Sequence, residues 1–326
     1  MRSRRAGAFC AAVLTISGIA VTAATGAVAG APPAAAASTC DDFSSGSGEC
    51  VGTTVTVAGT AYDATWYVPD GEAAALVVLQ HGFTRNCGHL RNTSTAVMEE
   101  GLMVLCLDAD MTGGNPALAA DLGDVLSARA LVPPLGRTLP TTYVVGGHSA
   151  GGHFAGALGA RLDANGYPAL AGAVLLDPVA SGGFSADLLA VSDGGERPVL
   201  AVAARPNVAN LFNNSFGALE ALPSSYTGIQ LVWSGFRFGW PYGGSCHTDA
   251  EGDNGDFIGN TAALCTPAAT QYTRLREFAS VWAHDLATGT QTAAYWCADE
   301  NDRSTCGSAV APLVTGSRPV AATIPA

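Results

Sequence analysis

The residues best placed by type and spacing to do chemistry lie in Gly147-His148-Ser149-Ala150-Gly151. A serine hydroxyl is a weak nucleophile until a neighbouring base takes its proton. The apolar run Tyr143-Val144-Val145 leads into this stretch and small residues follow it, so the sequence predicts a strand, a tight turn and a helix. A serine on such a turn needs small residues two before and two after it, and Gly147 and Gly151 meet that demand. The turn lifts the hydroxyl above the sheet edge, where a helix N-terminus favours developing negative charge. The plainer alternative is a glycine-rich junction that only allows close packing. His148 is expected to point away from the hydroxyl, and His153, one helical turn on, to be a packed or gating residue.

A nucleophile of this kind needs donors for the oxyanion that forms on attack. The run Leu76-Val77-Val78-Leu79-Gln80 reads as a buried strand and ends in His81-Gly82-Phe83. The loop after that strand can supply one backbone N–H and the residue after the nucleophile another. Phe83 and Ala150 are therefore the expected oxyanion donors, the alternative being an ordinary turn at Gly82.

The acid and base should follow the serine in the order serine, acid, histidine. Of the two strands expected next, 171–176 runs into Asp177-Pro178, whereas 198–203 continues as Ala204-Arg205-Pro206-Asn207 without a carboxylate. Asp177 is the expected acid, although Asp before Pro also occurs as simple turn chemistry. Only His247 and His284 come later. His247 lies in a Gly-rich loop soon after the last strand and is the expected base. His284 lies in an amphipathic helical pattern that reads as a packed or surface position.

Gln80-His81-Gly82-Phe83, Gly147-His148-Ser149-Ala150-Gly151-Gly152 and Leu175-Leu176-Asp177-Pro178-Val179 together resemble the chlorophyllase-like and platelet-activating-factor-acetylhydrolase-like branch of the α/β hydrolases. The resemblance implies an α/β-hydrolase fold, ester hydrolysis through an acyl-enzyme, and Asp177 as the acid. Chlorophyllases usually carry Arg where Ala150 stands, and Asp-Gly where Ala180-Ser181 stands, so the resemblance implies an ester and not chlorophyll.

The elements that must hold these residues can be read from periodicity. Residues 53–57 and 61–68 alternate apolar with polar or small residues around Ala58-Gly59-Thr60, which predicts a hairpin. Continuous apolar runs at 75–80, 102–107, 142–145, 171–176, 198–203 and 229–233 suit buried parallel strands. Helices are expected near 89–100, 115–130, 150–164, 208–221 and 268–287. The fold class is thus α/β, a three-layer sandwich around a twisted, mostly parallel sheet, with one catalytic domain at 40–290. Residues 291–326 are expected to form an extension pinned by Cys297 and Cys306 and loose after Pro312. The aromatic stretch 236–242 could line a substrate cleft or be a packed loop.

Composition sets the setting. Residues 1–39 carry Arg2, Arg4 and Arg5, then an apolar run and small residues, with no acidic residue, which reads as an export signal. An uncleaved membrane anchor is the alternative. Beyond it remain eight cysteines with no CxxC spacing, and neighbour pairing (40 with 50, 87 with 106, 246 with 265, 297 with 306) is the simplest disulfide scheme. Twelve arginines face 27 acidic residues there, 12 minus 27 or −15, and lysine is absent. Such a charge repels phosphate backbones and anionic membranes, so nucleic acid is not an expected partner. The expectation is a secreted bacterial monomer, a serine hydrolase acting on a small or polymeric ester without metal or organic cofactor. A serine peptidase or amidase, or a silent binding protein on the same scaffold, are the alternatives.

Overall fold

Nine strands of the described residues form one sheet in the order 48–57, 60–69, 103–108, 76–80, 143–148, 170–176, 199–203, 228–231 and 321–323. The computed structural model describes residues 40–41, 43–252, 264–299 and 301–324. The expected export signal at 1–39 lies outside the described residues.

The chain enters through β1 (Gly48–Val57) and β2 (Thr60–Pro69), an antiparallel pair. Their two-residue turn, Ala58-Gly59, has φ of 48° and 82°, the left-handed pair that matches the twist of a hairpin. Then come β3 (Leu76–Gln80), helix α1 (Arg91–Glu99), β4 (Met103–Asp108), α2 (Pro116–Ser127), β5 (Tyr143–His148), α3 (Ala150–Ala164) and β6 (Leu170–Leu176). After them follow α4 (Phe184–Ser192), β7 (Val199–Ala203), α5 (Phe216–Glu220) and β8 (Gly228–Leu231). From β4 to β8 all neighbouring strands are parallel.

The parallel strands are mostly apolar because both faces are covered. In β3, Leu76 and Val78 join the cluster that also holds Leu122, Phe154 and Leu188 of α2, α3 and α4. Val77 and Leu79 point the other way, into the cluster containing Val97 of α1 and Trp282 of α6 (Ala269–Thr288). This period-two division produces three layers, helices on each face of a sheet.

Four features differ from the sequence expectation. Helix was expected at 208–221, but only α5 is helical. The side chains of Asn207 and Asn210 take the backbone N–H groups of Ala209, Asn210, Asn207 and Asn213 instead, which offers the chain an alternative to helix. Helix α4 had no expected counterpart. Residues 233–244 form a separate hairpin, β9 (Trp233–Arg237) with β10 (Trp240–Gly244). Finally, the chain is not loose after Pro312: a last turn of helix, α7 (Ala311–Val314), leads to β11 (Ala321–Thr323), which pairs antiparallel with β8, and Val314 and Ile324 are buried.

The disulfides are Cys40–Cys50, Cys87–Cys106, Cys246–Cys265 and Cys297–Cys306, the neighbour pairing. No helix of the described residues is long and apolar enough to cross a membrane.

Candidate active site

Ser149 stands between β5 and α3 with φ 57° and ψ −122°, a backbone conformation costly for a residue with a side chain. Long-range bonds hold it there. Its N–H donates to Leu176 O at 3.1 Å, and its carbonyl accepts from Val179 N at 3.0 Å. The neighbouring glycines are dictated by space. A Cβ on Gly147 would come 2.2 Å from Gly151 O, and one on Gly151 would come 2.2 Å from Gln80 O. The Asp177-Pro178-Val179 turn is seated against the same junction, since a Cβ on Gly152 would come 2.7 Å from Pro178 Cβ.

The loop after β3 passes beside the serine: a Cβ on Gly82 would sit 2.9 Å from Ser149 Cβ. Ala150 is the first residue of α3, so its N–H has no intrahelical acceptor. Among the described residues, no backbone carbonyl outside the helices and strands accepts from Phe83 N. Phe83, Ser149, Ala150 and His247 line one cavity of about 580 Å³, together with Val179, Leu211, Arg85 and Glu251.

Asp177 is buried at the end of β6, with φ 43°. Its Oδ2 lies 2.6 Å from His247 Nδ1, and its Oδ1 accepts from Ala204 N at 2.9 Å. Asn210 Nδ2 donates to it at 3.1 Å. A carboxylate that accepts from an imidazole Nδ1–H sets the ring proton on that nitrogen and leaves Nε2 with its lone pair. His247 is 6% exposed, which keeps its ring in the cavity wall rather than in bulk solvent.

The segment His247–Glu251 is a short 3-10 helix. The Cys246–Cys265 bond anchors it on one side. Asp249 caps it by accepting from Cys246 N at 2.7 Å and Ala268 N at 3.1 Å. Burial, with a smaller contribution from the Asp177 charge, pushes the Asp249 carboxyl up to about 7 against those bonds. At the other end, Glu251 pairs with Arg85 of the β3 loop. Burial works against the Glu251 charge, but contacts with His148 and Arg85 outweigh it and hold the carboxyl down at about 2.

His148 faces partners other than Ser149. Its Nε2 lies 3.0 Å from the carbonyl of His247, so that nitrogen donates, while Nδ1 lies 3.3 Å from Glu251 Oε1. Burial first, then the neighbouring His247, lowers its pKa. His153 is buried, with Nδ1 against Ser181 Oγ and its ring edge-on to Phe184. His284 lies on α6 with Nδ1 3.1 Å from Glu100 O and does not line the cavity.

The aromatic stretch 236–242 corrects one expectation. It lines neither the cavity nor a packed loop: Phe238, Trp240 and Tyr242 are exposed on the β9–β10 hairpin. The turn Phe238-Gly239, with φ 50° and 87°, closes that hairpin on itself. Sequence reasoning missed Asn210, Arg85 and Glu251. Of these, only Asn210 carried a signal, as one of four asparagines within 207–214, and that signal pointed to a turn.

Strand order, parallel core and a serine on a strand-to-helix turn after β5 together make this an α/β-hydrolase fold. No family profile and no curated protein matches the chain. Among solved structures, carboxyl esterase 2 from Tuber melanosporum is 14% identical with a TM-score of 0.48, over 77% of this chain and 89% of that one. An ester-hydrolase from the Lake Arreo metagenome is 12% identical with a TM-score of 0.47, over 74% and 83%. Dienelactone hydrolase from Anabaena variabilis is 16% identical with a TM-score of 0.42, over 56% and 84%. The fold assignment rests on the chain's own topology and not on these distant likenesses.

Proposed function

We propose that the protein is an exported serine hydrolase that cleaves carboxylic esters through an acyl-enzyme. The observation that carries this reading is the 2.6 Å contact between His247 Nδ1 and Asp177 Oδ2 in the wall of the cavity that Ser149 also lines. Asp177 holds the Nδ1 proton of His247, and Nε2 takes the proton of Ser149 as the hydroxyl oxygen attacks the ester carbonyl. The N–H groups of Phe83 and Ala150 receive the oxyanion, and His247 returns its proton to the leaving alcohol. Water, deprotonated by the same imidazole, then releases the acid and restores Ser149.

The motif resemblance to the chlorophyllase-like branch supports an ester, and the substitutions at Ala150 and Ala180-Ser181 argue against chlorophyll itself. Four disulfides support export, because such bonds persist in oxidising compartments.

Replacing Ser149 with Ala is expected to reduce p-nitrophenyl butyrate turnover by about 10⁴-fold or more, with an unchanged melting transition. A fluorophosphonate probe should label the wild-type protein at Ser149 alone. Turnover that survives in Ser149→Ala would reject the assignment.

A further inference from the structure

Ala180 and Ser181, which line the cavity at Ser149, also line a second space. This more open cavity of about 500 Å³ lies between α4 and α5, lined by Gly183, Phe184, Ala186 and Gly217. Among the described residues, none that lines this second space carries a charge. In the first, the two charged side chains that line it among the described residues, Arg85 and Glu251, form an ion pair.

The ridge between the two spaces is already satisfied. Ala180 N–H donates to Asn214 Oδ1 at 2.9 Å, and Ala180 O accepts from Asn214 Nδ2 at 2.9 Å. Ser181 Oγ donates to Gly113 O at 2.9 Å and also meets His153 Nδ1. The Ser181 proton is thus turned inward. An apolar chain can cross here without stranding a buried donor or acceptor, whereas a charged chain would meet no partner in the far space.

We infer that the two spaces form one extended binding cleft for a neutral, linear, predominantly apolar ester. The scissile carbonyl sits at Ser149, and one arm of the substrate crosses the Ala180-Ser181 ridge to end against Gly217 and Ala186. This rests on the assignment of Ser149 as the nucleophile. It makes the substrate a long-chain or oligomeric ester rather than a small lactone or acetate.

Gly217 offers a clean way to close the far space. It lies in α5, its φ is ordinary, and a Cβ built there meets nothing within 4 Å. A larger side chain is therefore admitted without a backbone clash at the wall of the far space, and leaving glycine favours the helix. We compare Gly217→Trp and the milder Gly217→Leu with wild type on two ester series, one lengthening the acyl arm from four to ten carbons and one lengthening the alcohol arm likewise. Melting curves report folding.

The expected result is that the long-to-short ratio of kcat/KM falls by about tenfold in one series, the size of discrimination a blocked apolar pocket provides. The series that responds identifies the arm that crosses the ridge. Unchanged ratios in both series for both folded variants would overturn the extended cleft while leaving ester hydrolysis intact. A wild-type protein inactive on the short esters as well would instead overturn the assignment of Ser149, and the cleft with it.

Discussion

The turn that carries Ser149 and the segment that carries His247 solve the same problem, holding one side chain at one point, by opposite means. The serine turn is held by steric exclusion. Its backbone is strained, and its neighbours are glycines because the β3 backbone leaves no room for a Cβ. The histidine segment is held by attraction: a disulfide, a buried capping carboxylate and an ion pair running from Glu251 to Arg85. The first arrangement depends on volume and on backbone hydrogen bonds, with no side-chain charge in it. The second depends on charge, and hence on pH.

The difference can be tested by attacking each region in its own currency. The largest effect is expected from Gly151→Ala, whose new methyl would lie 2.2 Å from Gln80 O and 2.4 Å from His81 O. Backbone cannot yield as a side chain can, so urea unfolding should show a loss of about 4 kcal/mol or more. A loss below about 1 kcal/mol would show that the turn tolerates volume and that the contrast is false.

Next comes Glu251→Gln, which removes the buried Glu251–Arg85 ion pair and should destabilise the protein by about 3 kcal/mol at neutral pH. The Glu251 carboxyl sits at about 2 in the folded chain against an ordinary 4.5, so between those values the unfolded chain binds more protons. Its stabilising contribution is complete above about pH 4.5 and is lost as pH falls toward 2. Stability measured against pH should therefore have a shallower acid limb in Glu251→Gln than in wild type. An equally steep limb would assign the acid sensitivity to other groups. Gly151→Ala, by contrast, should lower the whole curve without changing its slope.

The smallest effect is expected from Asn210→Ala, which removes one donor from Asp177 and the acceptor of Asn207 and Asn213 N–H but leaves Ala204 N–H and His247 on the carboxylate. About 1 kcal/mol of stability is at stake, with roughly a tenfold fall in kcat for p-nitrophenyl butyrate. Asn210→Asp, which puts a second carboxylate beside Asp177, should be worse than Ala. If Ala and Asp behave alike, the amide contributes packing and not a hydrogen bond.

These two regions were not equally legible. The serine turn could be read directly, because a run of valines, a Gly-x-Ser-x-Gly stretch and a small-residue segment are contiguous and each constrains the next. The strand end whose carboxylate meets His247 could be read because one strand end carried a carboxylate and the next did not. The sequence predicts helix at 208–221, whereas the side chains of Asn207 and Asn210 take the local backbone N–H groups at its start. The end of the chain was misread because Ala321-Ala322-Thr323 carries no strand signal of its own; the exposed edge of β8 gives it one.

Sequence alone determined the local chemistry: which serine could be raised on a tight turn, which residues alternate between two buried faces, and which cysteines lie near enough in the chain to pair. Tertiary structure decided what surrounds that chemistry. The pairing of Glu251 with Arg85, 166 residues apart, and the second space that Ser181 lines between two helices depend on how distant segments pack. Local patterns record the demands of the backbone within a few residues, whereas charge partners and cavities exist only where separate elements meet.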